Sequence, residues 1–205
     1  TVAPYANLGE VKLRITARAK NHLEAKNIIK PVKEKLKKDF SKFIFGEDND
    51  TLPSVLIKEL TKRNQTIVFA ESCTGGLLSS SLTSISGSSQ VFKGSIVSYS
   101  NELKNSLLNI SEEKLTKYGA VSEEVCESMA INVKEKLGAD WAIAISGIAG
   151  PNGGSQDKPV GLVYISISGP NNHITNIKKL FNSTRNRVEI QTLSVNVCLN
   201  SLRLI

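Results

Sequence analysis

Histidine is almost missing from this chain: His22 and His173 are the two in 205 residues. Cysteine is scarce too, at Cys73, Cys126 and Cys198, with no short metal-type spacing among them. Together these leave a zinc site short of ligands. An odd count of unclustered thiols fits a reducing compartment, so a cytoplasmic protein is expected. A Ser-His-Asp triad is disfavoured, because His22 lies in the N-terminal region and His173 in a polar turn after a strand. No apolar stretch is long enough to cross a bilayer, and no charged-then-apolar leader opens the chain, so no membrane partner is expected. Phosphate-loop lysines and dinucleotide-binding glycine spacings are also lacking.

Charge is present in excess of one sign, a net +7, and its distribution matters. Residues 1–50 hold 11 Lys/Arg against 7 Asp/Glu, the remainder 15 against 12. The excess gathers in "KPVKEKLKKDFSK", where Val32, Leu36, Phe40 and Ile44 recur every four residues. That is the pattern of an amphipathic helix with a solvated lysine face. Residues 1–50 contain no GXXG loop, and no nucleic-acid partner is expected.

Two regions differ in periodicity. "GEVKLRITARA" alternates Val11, Leu13 and Ile15 with polar residues, as a strand with one buried face does. A helix follows, which Pro31 should split or kink. "IFGEDNDT" reads as a linker, and Thr51 with Pro53 as the start of another helix. The first boundary falls at residue 48, giving a small α+β unit over 1–48 and a larger domain over 49–205. In the larger part, "TIVFA", "GSIVSYS", "DWAIAISGIAG" and "VGLVYISISG" read as strands. They are separated by helices, one of them capped near Ser122, and "RNRVEIQTLSVNVCLNSLRLI" closes the chain as a helix. Alternating strands and helices predict an α/β fold: a layered sandwich with helices covering a mixed or parallel sheet.

In such sheets ligands gather at strand C-termini and helix N-termini. Two glycine loops fall there, "AESCTGG" after strand 66–70 and "SGIAGPNGG" after strand 141–145, and the pair predicts a small anionic ligand. Ser72 sits where a strand-to-helix turn exposes a hydroxyl, with N–H groups of Thr74, Gly75 and Gly76 placed to hold an oxyanion. The residues alone leave it either a nucleophile or a helix N-cap. Cys73 is a rival nucleophile beside a helix N-terminus, a position that depresses a thiol's pKa, but it lacks a histidine partner. A base for serine can be a lysine with a lowered pKa. "GSIVSYSNELK" offers Tyr99 and Lys104, although Lys104 taken alone reads first as a surface lysine.

"AESCTGG", "GSSQVFKGSIVSYSNELK", "YGAVSEEV", "SGIAGPNGG" and "KPVG", in this order and spacing, resemble the C-terminal domain of the competence/damage-inducible CinA family. The resemblance covers roughly residues 50–203, and "VAPYANLGEVKLRITARA" is similar to the KH-like domain that precedes this module. It implies a chain truncated ahead of Thr1, lacking a molybdopterin-binding-like domain that acts on ADP-ribose. It further implies a cytoplasmic homodimer without cofactor or metal that hydrolyses nicotinamide mononucleotide to nicotinate mononucleotide and ammonia. The family's catalytic serine, tyrosine and lysine fall on Ser72, Tyr99 and Lys104. Substrate binding falls on Glu71, Thr74, Gly75, Gly76 and Asn101 around the first loop, on Ser146, Gly147, Gly150, Pro151 and Gly153 in the second, and on Arg185. One departure stands out. Where the family has a second arginine four residues after Arg185, this chain has Glu189, and Arg187 substitutes only if it faces the same way. The alternative reading is a catalytically silent nucleotide-binding or assembly module of a larger ADP-ribose pyrophosphatase.

Overall fold

The computed structural model describes residues 1–205. The apolar runs that read as doubly covered strands lie side by side at the centre of a sheet. They are β3 (Ile67–Glu71) and β5 (Trp141–Gly147), paired in parallel. β4 (Phe92–Val97) adds to β3 in parallel at one edge, while β6 (Leu162–Ser168) and β7 (Ile174–Leu180) extend the other side antiparallel. The order is β4-β3-β5-β6-β7, a mixed sheet. Because side chains alternate along a strand, Ile67 and Phe69 enter one core and Val68 and Ala70 the other.

The first core is closed by α2 (Leu52–Arg63) and α7 (Arg187–Arg203), with the short α3 (Leu77–Thr83) between strand and solvent. Leu56, Leu60, Leu78, Leu82, Ile190 and Leu199 are buried there against Phe69, Ile143 and Ile165. The second is closed by α6 (Glu123–Leu137), with α4 (Asn101–Leu108) and α5 (Glu112–Tyr118) beside it. On that face the sheet presents small residues, Ala70, Ala142 and Ala144, so that Val125, Met129 and Val133 of α6 seat close to the backbone. Each fully buried Leu, Ile or Val contributes about 1.5–3 kcal/mol relative to exposure. Thr51 starts α2 with a reciprocal capping box to Ser54, and Ser122 starts α6 by accepting from the Val125 N–H.

Ahead of this sandwich lies a small α+β part. A hairpin of β1 (Val2–Asn7) and β2 (Glu10–Ile15) is followed by α1 (His22–Asp39), which has no buried residue. The hairpin places Val2 opposite Ile15, Pro4 opposite Leu13 and Ala6 opposite Val11, one apolar face. Lys33 and Lys37 both pair with Glu47, and Lys58 pairs with Asp50 at 2.5 Å, fastening α1 and α2 to the linker.

The structure departs from expectation in α1, β1 and β7. Pro31 does not split α1, which runs continuously; its exposed position lets water serve the carbonyl that the missing N–H leaves free. The cap read near Ser122 is where α6 begins, parted from α5 at Gly119–Ser122, where Gly119 has φ +76°. Strands β1 and β7 were not legible: β1 carries a proline, and β7, at the sheet edge, carries Lys178 and Lys179. No helix is long and apolar enough to cross a membrane.

Gly161 shows how tightly the loop over β6 is packed. Its φ is +94°, and a Cβ there would stand 2.2 Å from the Phe181 carbonyl oxygen. Gly161→Ala should therefore cost about 2–4 kcal/mol, adding clash to backbone strain. A urea unfolding curve checks this, and an unchanged midpoint would contradict it.

Candidate active site

The C-terminal ends of β3, β4 and β5 meet at one place, as three adjacent parallel strands must. β3 ends in Glu71, a fully buried carboxylate. It accepts from the backbone N–H groups of Gly76 (3.0 Å), Leu78 (3.1 Å) and Ser79 (2.8 Å) and from the Ser79 hydroxyl (2.6 Å). Those are the orphan donors of the first turn of α3, whose N-cap, Gly76, has no side chain to serve them. A carboxylate reaching forward from the preceding strand takes the role that an N-cap side chain usually fills. Ser72 is thus relieved of capping. Gly75 and Gly76 adopt φ of +61° and +103°, which lets the chain fold back over Glu71.

Ser72 continues the strand for one residue, its N–H donating to the Ile145 carbonyl at 3.0 Å. Its hydroxyl lies 3.0 Å from Nζ of Lys104. Lys104 stands one turn from Leu108 in α4, and both are buried, while Leu103 and Leu107 face outward. The lysine therefore occupies a core position of an amphipathic helix. It is 1% exposed, and Nζ has two other neighbours, the carbonyl oxygens of Ser98 (2.8 Å) and Tyr99 (3.3 Å). No carboxylate pairs with it. Burial without a counter-ion holds its ammonium below the ordinary lysine value. A neutral amine has two N–H groups and one lone pair. With the carbonyls taking the two N–H groups, the lone pair is left for the Ser72 hydroxyl proton.

The other first-loop residues divide by what their polar atoms already do. The Gly76 N–H is spent on Glu71 and the Gly75 N–H on the Ser72 carbonyl. The N–H groups of Cys73 and Thr74 donate to no backbone or side-chain oxygen, so the donors free for an oxyanion are these two. The Thr74 hydroxyl is buried without a partner. Cys73 does not behave as a helix N-terminal thiol. Burial pushes it up to about 12, and its carbonyl accepts from Nε2 of Gln191 at 2.8 Å.

Tyr99 divides in two. Its carbonyl touches Lys104, while its side chain, 58% exposed, turns its hydroxyl to Nη2 of Arg187 at 2.8 Å. The phenol contacts neither Ser72 nor Lys104. Asn101 is the first residue of α4, exposed, after the N-cap Ser100. In the second loop, the Ser146 hydroxyl donates to the Ala120 carbonyl at 2.6 Å, and a Cβ on Gly147 would meet Val163 and the Leu162 carbonyl below 3 Å. Gly150 offers its carbonyl to Nη1 of Arg187 at 3.0 Å. Pro151 and Arg185 line an adjacent groove, and Gly153 lies in the exposed part of the loop. Glu189 closes a capping box with Asn186 at the start of α7, so its place is taken up by helix termination.

Gln191 is not singled out in the sequence, and Arg187 enters there only as the substitute for the arginine missing at 189. Their i,i+4 spacing, with both reaching the loops, was the available signal.

Comparison with known proteins agrees with this architecture. A family model described as the CinA C-terminal domain matches residues 49–205, and one described as the damage-inducible protein CinA KH domain matches residues 1–46. The chain belongs to the CinA family. A CinA-like protein of Prochlorococcus marinus is 96% identical over the whole chain, and one of Gloeothece citriformis is 48% identical over 203 residues. The chain spans about half the length of these curated relatives, 48% and 49%. Among solved structures, a competence/damage-inducible protein from Agrobacterium tumefaciens is 36% identical with a TM-score of 0.73. The match covers 78% of this chain and 96% of that one. A CinA superfamily protein from Escherichia coli is 27% identical with a TM-score of 0.70, covering 81% and 98%.

Replacing Glu71 by Gln would turn an amide NH2 toward backbone donors. Glu71→Gln should cost about 2–4 kcal/mol, since hydrogen bonds to a charged acceptor contribute about 1.5–3 each. Thermal unfolding monitored by circular dichroism checks it; a melting temperature unchanged from the parent would show that the loop does not depend on the carboxylate.

Proposed function

We propose that residues 49–205 form a serine amidohydrolase that converts nicotinamide mononucleotide to nicotinate mononucleotide and ammonia. The observation that carries this reading is the buried, counter-ion-free amine of Lys104 at 3.0 Å from the Ser72 hydroxyl. A lysine held this way serves as a general base, and a serine at a strand end beside free N–H groups serves as a nucleophile. Membership of the CinA family supports the choice of substrate. The same reading makes residues 1–48 a separate KH-like module, and the protein a cytoplasmic homodimer joined to a further domain.

The chemistry balances with this chain's own groups. Lys104 Nζ takes the Ser72 proton as Oγ attacks the carboxamide carbon. The oxyanion forms against the N–H groups of Cys73 and Thr74. The Lys104 ammonium returns the proton to the amide nitrogen, the C–N bond breaks, and ammonia departs. Water then attacks the nicotinoyl ester, giving a proton to Lys104, which passes it back to Ser72 Oγ as the acid leaves. The positive charge on the substrate's pyridinium ring makes its carbonyl more electrophilic. Tyr99 serves through its carbonyl, which orients the amine, and its phenol borders the substrate.

Ammonia release from nicotinamide mononucleotide, in a chelator, should fall by about 10²–10⁴-fold in Ser72→Ala. Near-normal turnover by the variant would overturn the mechanism; binding without release by either protein would favour the silent nucleotide-binding module.

The acid–base behaviour gives a second test. The Lys104 ammonium titrates below its ordinary value of 10.5 because burial penalises the charge. Between the two values the unfolded chain holds more protons than the folded one, so stability rises with pH across that window. kcat/KM should rise with pH along a limb through the folded-state value, at the lower end of that window, as the amine loses its proton. In Lys104→Met both the stability gradient and the limb should disappear; a retained limb in the variant's residual activity would assign the base elsewhere.

A further inference from the structure

The two donors left free for an oxyanion are the far ends of peptide units whose carbonyls are held. A trans peptide is planar, with its C=O and N–H on opposite sides, so fixing one fixes the other. The units joining Ser72 to Cys73 and Cys73 to Thr74 are both trans. The Ser72 carbonyl accepts from the Gly75 N–H at 3.1 Å, which aims the Cys73 N–H the other way. The Thr74 carbonyl accepts from the Leu77 N–H, also at 3.1 Å. Both of those bonds are made within the turn. The carbonyl between them, on Cys73, has no local donor. It accepts from Nε2 of Gln191 at 2.8 Å, a residue 118 positions along the chain.

Gln191 stands on a rigid support. It lies in the second turn of α7, where its neighbours Ile190, Ser194 and Val195 are buried. The turn it reaches is the opposite. Gly75 and Gly76, at φ +61° and +103°, occupy conformations that glycine enters and leaves without steric cost. Cys73 itself is buried, so without a donor at position 191 its carbonyl would be an acceptor deprived of a partner. Rotation of the Cys73–Thr74 peptide would relieve that penalty. The same rotation would carry the Thr74 N–H away from its aim and turn a carbonyl oxygen toward the site, where it repels an oxyanion.

We propose that Gln191 is a positioning residue for acyl transfer: by holding the Cys73 carbonyl, it keeps the Thr74 N–H aimed at the oxyanion that forms when Ser72 attacks. This rests on the amidohydrolase reading above. Gln191 acts through that one peptide unit. Because the oxyanion exists only beyond the ground state, the contact lowers the barrier without tightening substrate binding.

The test is steady-state ammonia release from nicotinamide mononucleotide by the 205-residue chain and by Gln191→Met and Gln191→Glu, which keep the side chain's length. The first variant removes the donor; the second sets an acceptor against the carbonyl. Losing an oxyanion donor outright costs about 10²–10³-fold. A donor left in place but unaimed should cost about 10–100-fold in kcat, with KM held within about twofold. Gln191→Glu should lose at least as much as Gln191→Met. The pH limb set by Lys104 should stay in place in both, since the Ser98 and Tyr99 carbonyls that hold the amine are untouched. A rise in KM at unchanged kcat, a displaced limb, or parent-like kcat in either variant would overturn the proposal. If the parent chain releases no ammonia, the amidohydrolase reading fails by itself, and labelling by an alkyl fluorophosphonate decides the role of Gln191. There Ser72 Oγ bonds to phosphorus, fluoride leaves, and the serine proton passes through Lys104 to water, while the phosphoryl oxygen takes the oxyanion's place. Labelling slowed by about 10-fold or more in Gln191→Met supports the proposal. An equal rate, or no labelling of the parent chain at Ser72, overturns it.

Discussion

A buried carboxylate facing four donors sets the geometry on which the rest depends. Glu71 lies at the end of a central strand, where an unpaired charge would be costly, and the first turn of α3 brings it the N–H groups that turn cannot satisfy internally. Each party removes the other's penalty. The consequence is positional. For the helix N-terminus to reach back to Glu71, residues 72–76 must loop outward and return, and the two left-handed glycines provide that reversal. Ser72 is the first residue of the excursion, so its hydroxyl is presented at the strand end and takes no part in helix capping.

The sheet order then decides what Ser72 meets. β4 lies beside β3 in parallel, so the residues following β4, Ser98 and Tyr99, arrive at the same level as Ser72. Their carbonyls face the lysine that α4 sends inward. β5 on the other side delivers the loop that Arg187 holds at Gly150. α7 thus has two functions along its length. Its middle and end bury Ile190, Cys198 and Leu199 in the core, while its first turn spans from the β5 loop to Tyr99. The hairpin of the N-terminal part touches the same helix, with the Leu8 carbonyl near Asn196. At its other end Arg203 reaches the Lys42 carbonyl at 3.1 Å.

How much of this was legible in the sequence depended on whether the local pattern and the tertiary setting agreed. β3 and β5 were plain, because strands covered on both faces carry apolar residues at every position. β7 was not, since an edge strand with one solvent face dilutes its signal with lysines. Lys104 reads as a surface residue until Leu108, four residues on, is seen to be buried on the same face; its partner is a serine 32 residues away. Of the three N–H groups read from sequence as oxyanion donors, Thr74 keeps its own free, while those of Gly75 and Gly76 go to the Ser72 carbonyl and to Glu71, partners that sequence does not show. Arg187 reads in the sequence only as a substitute for the arginine missing at 189; what it reaches, the Gly150 carbonyl and the Tyr99 hydroxyl, lies 37 and 88 residues away.

One environment also separates the two candidate nucleophiles. The desolvation that lowers the Lys104 ammonium is the same that raises the Cys73 thiol to about 12, since burial favours the uncharged form of either group. For the lysine, the uncharged form is the useful one, a free amine able to accept a proton. For the cysteine it is the inert one, because thiols react as thiolates. Drying the site therefore strengthens a serine–lysine pair and silences the adjacent thiol, without a histidine being needed for either effect. A cysteine at position 73 can remain next to Ser72 as packing, with its carbonyl held by Gln191, while the chemistry stays with the hydroxyl.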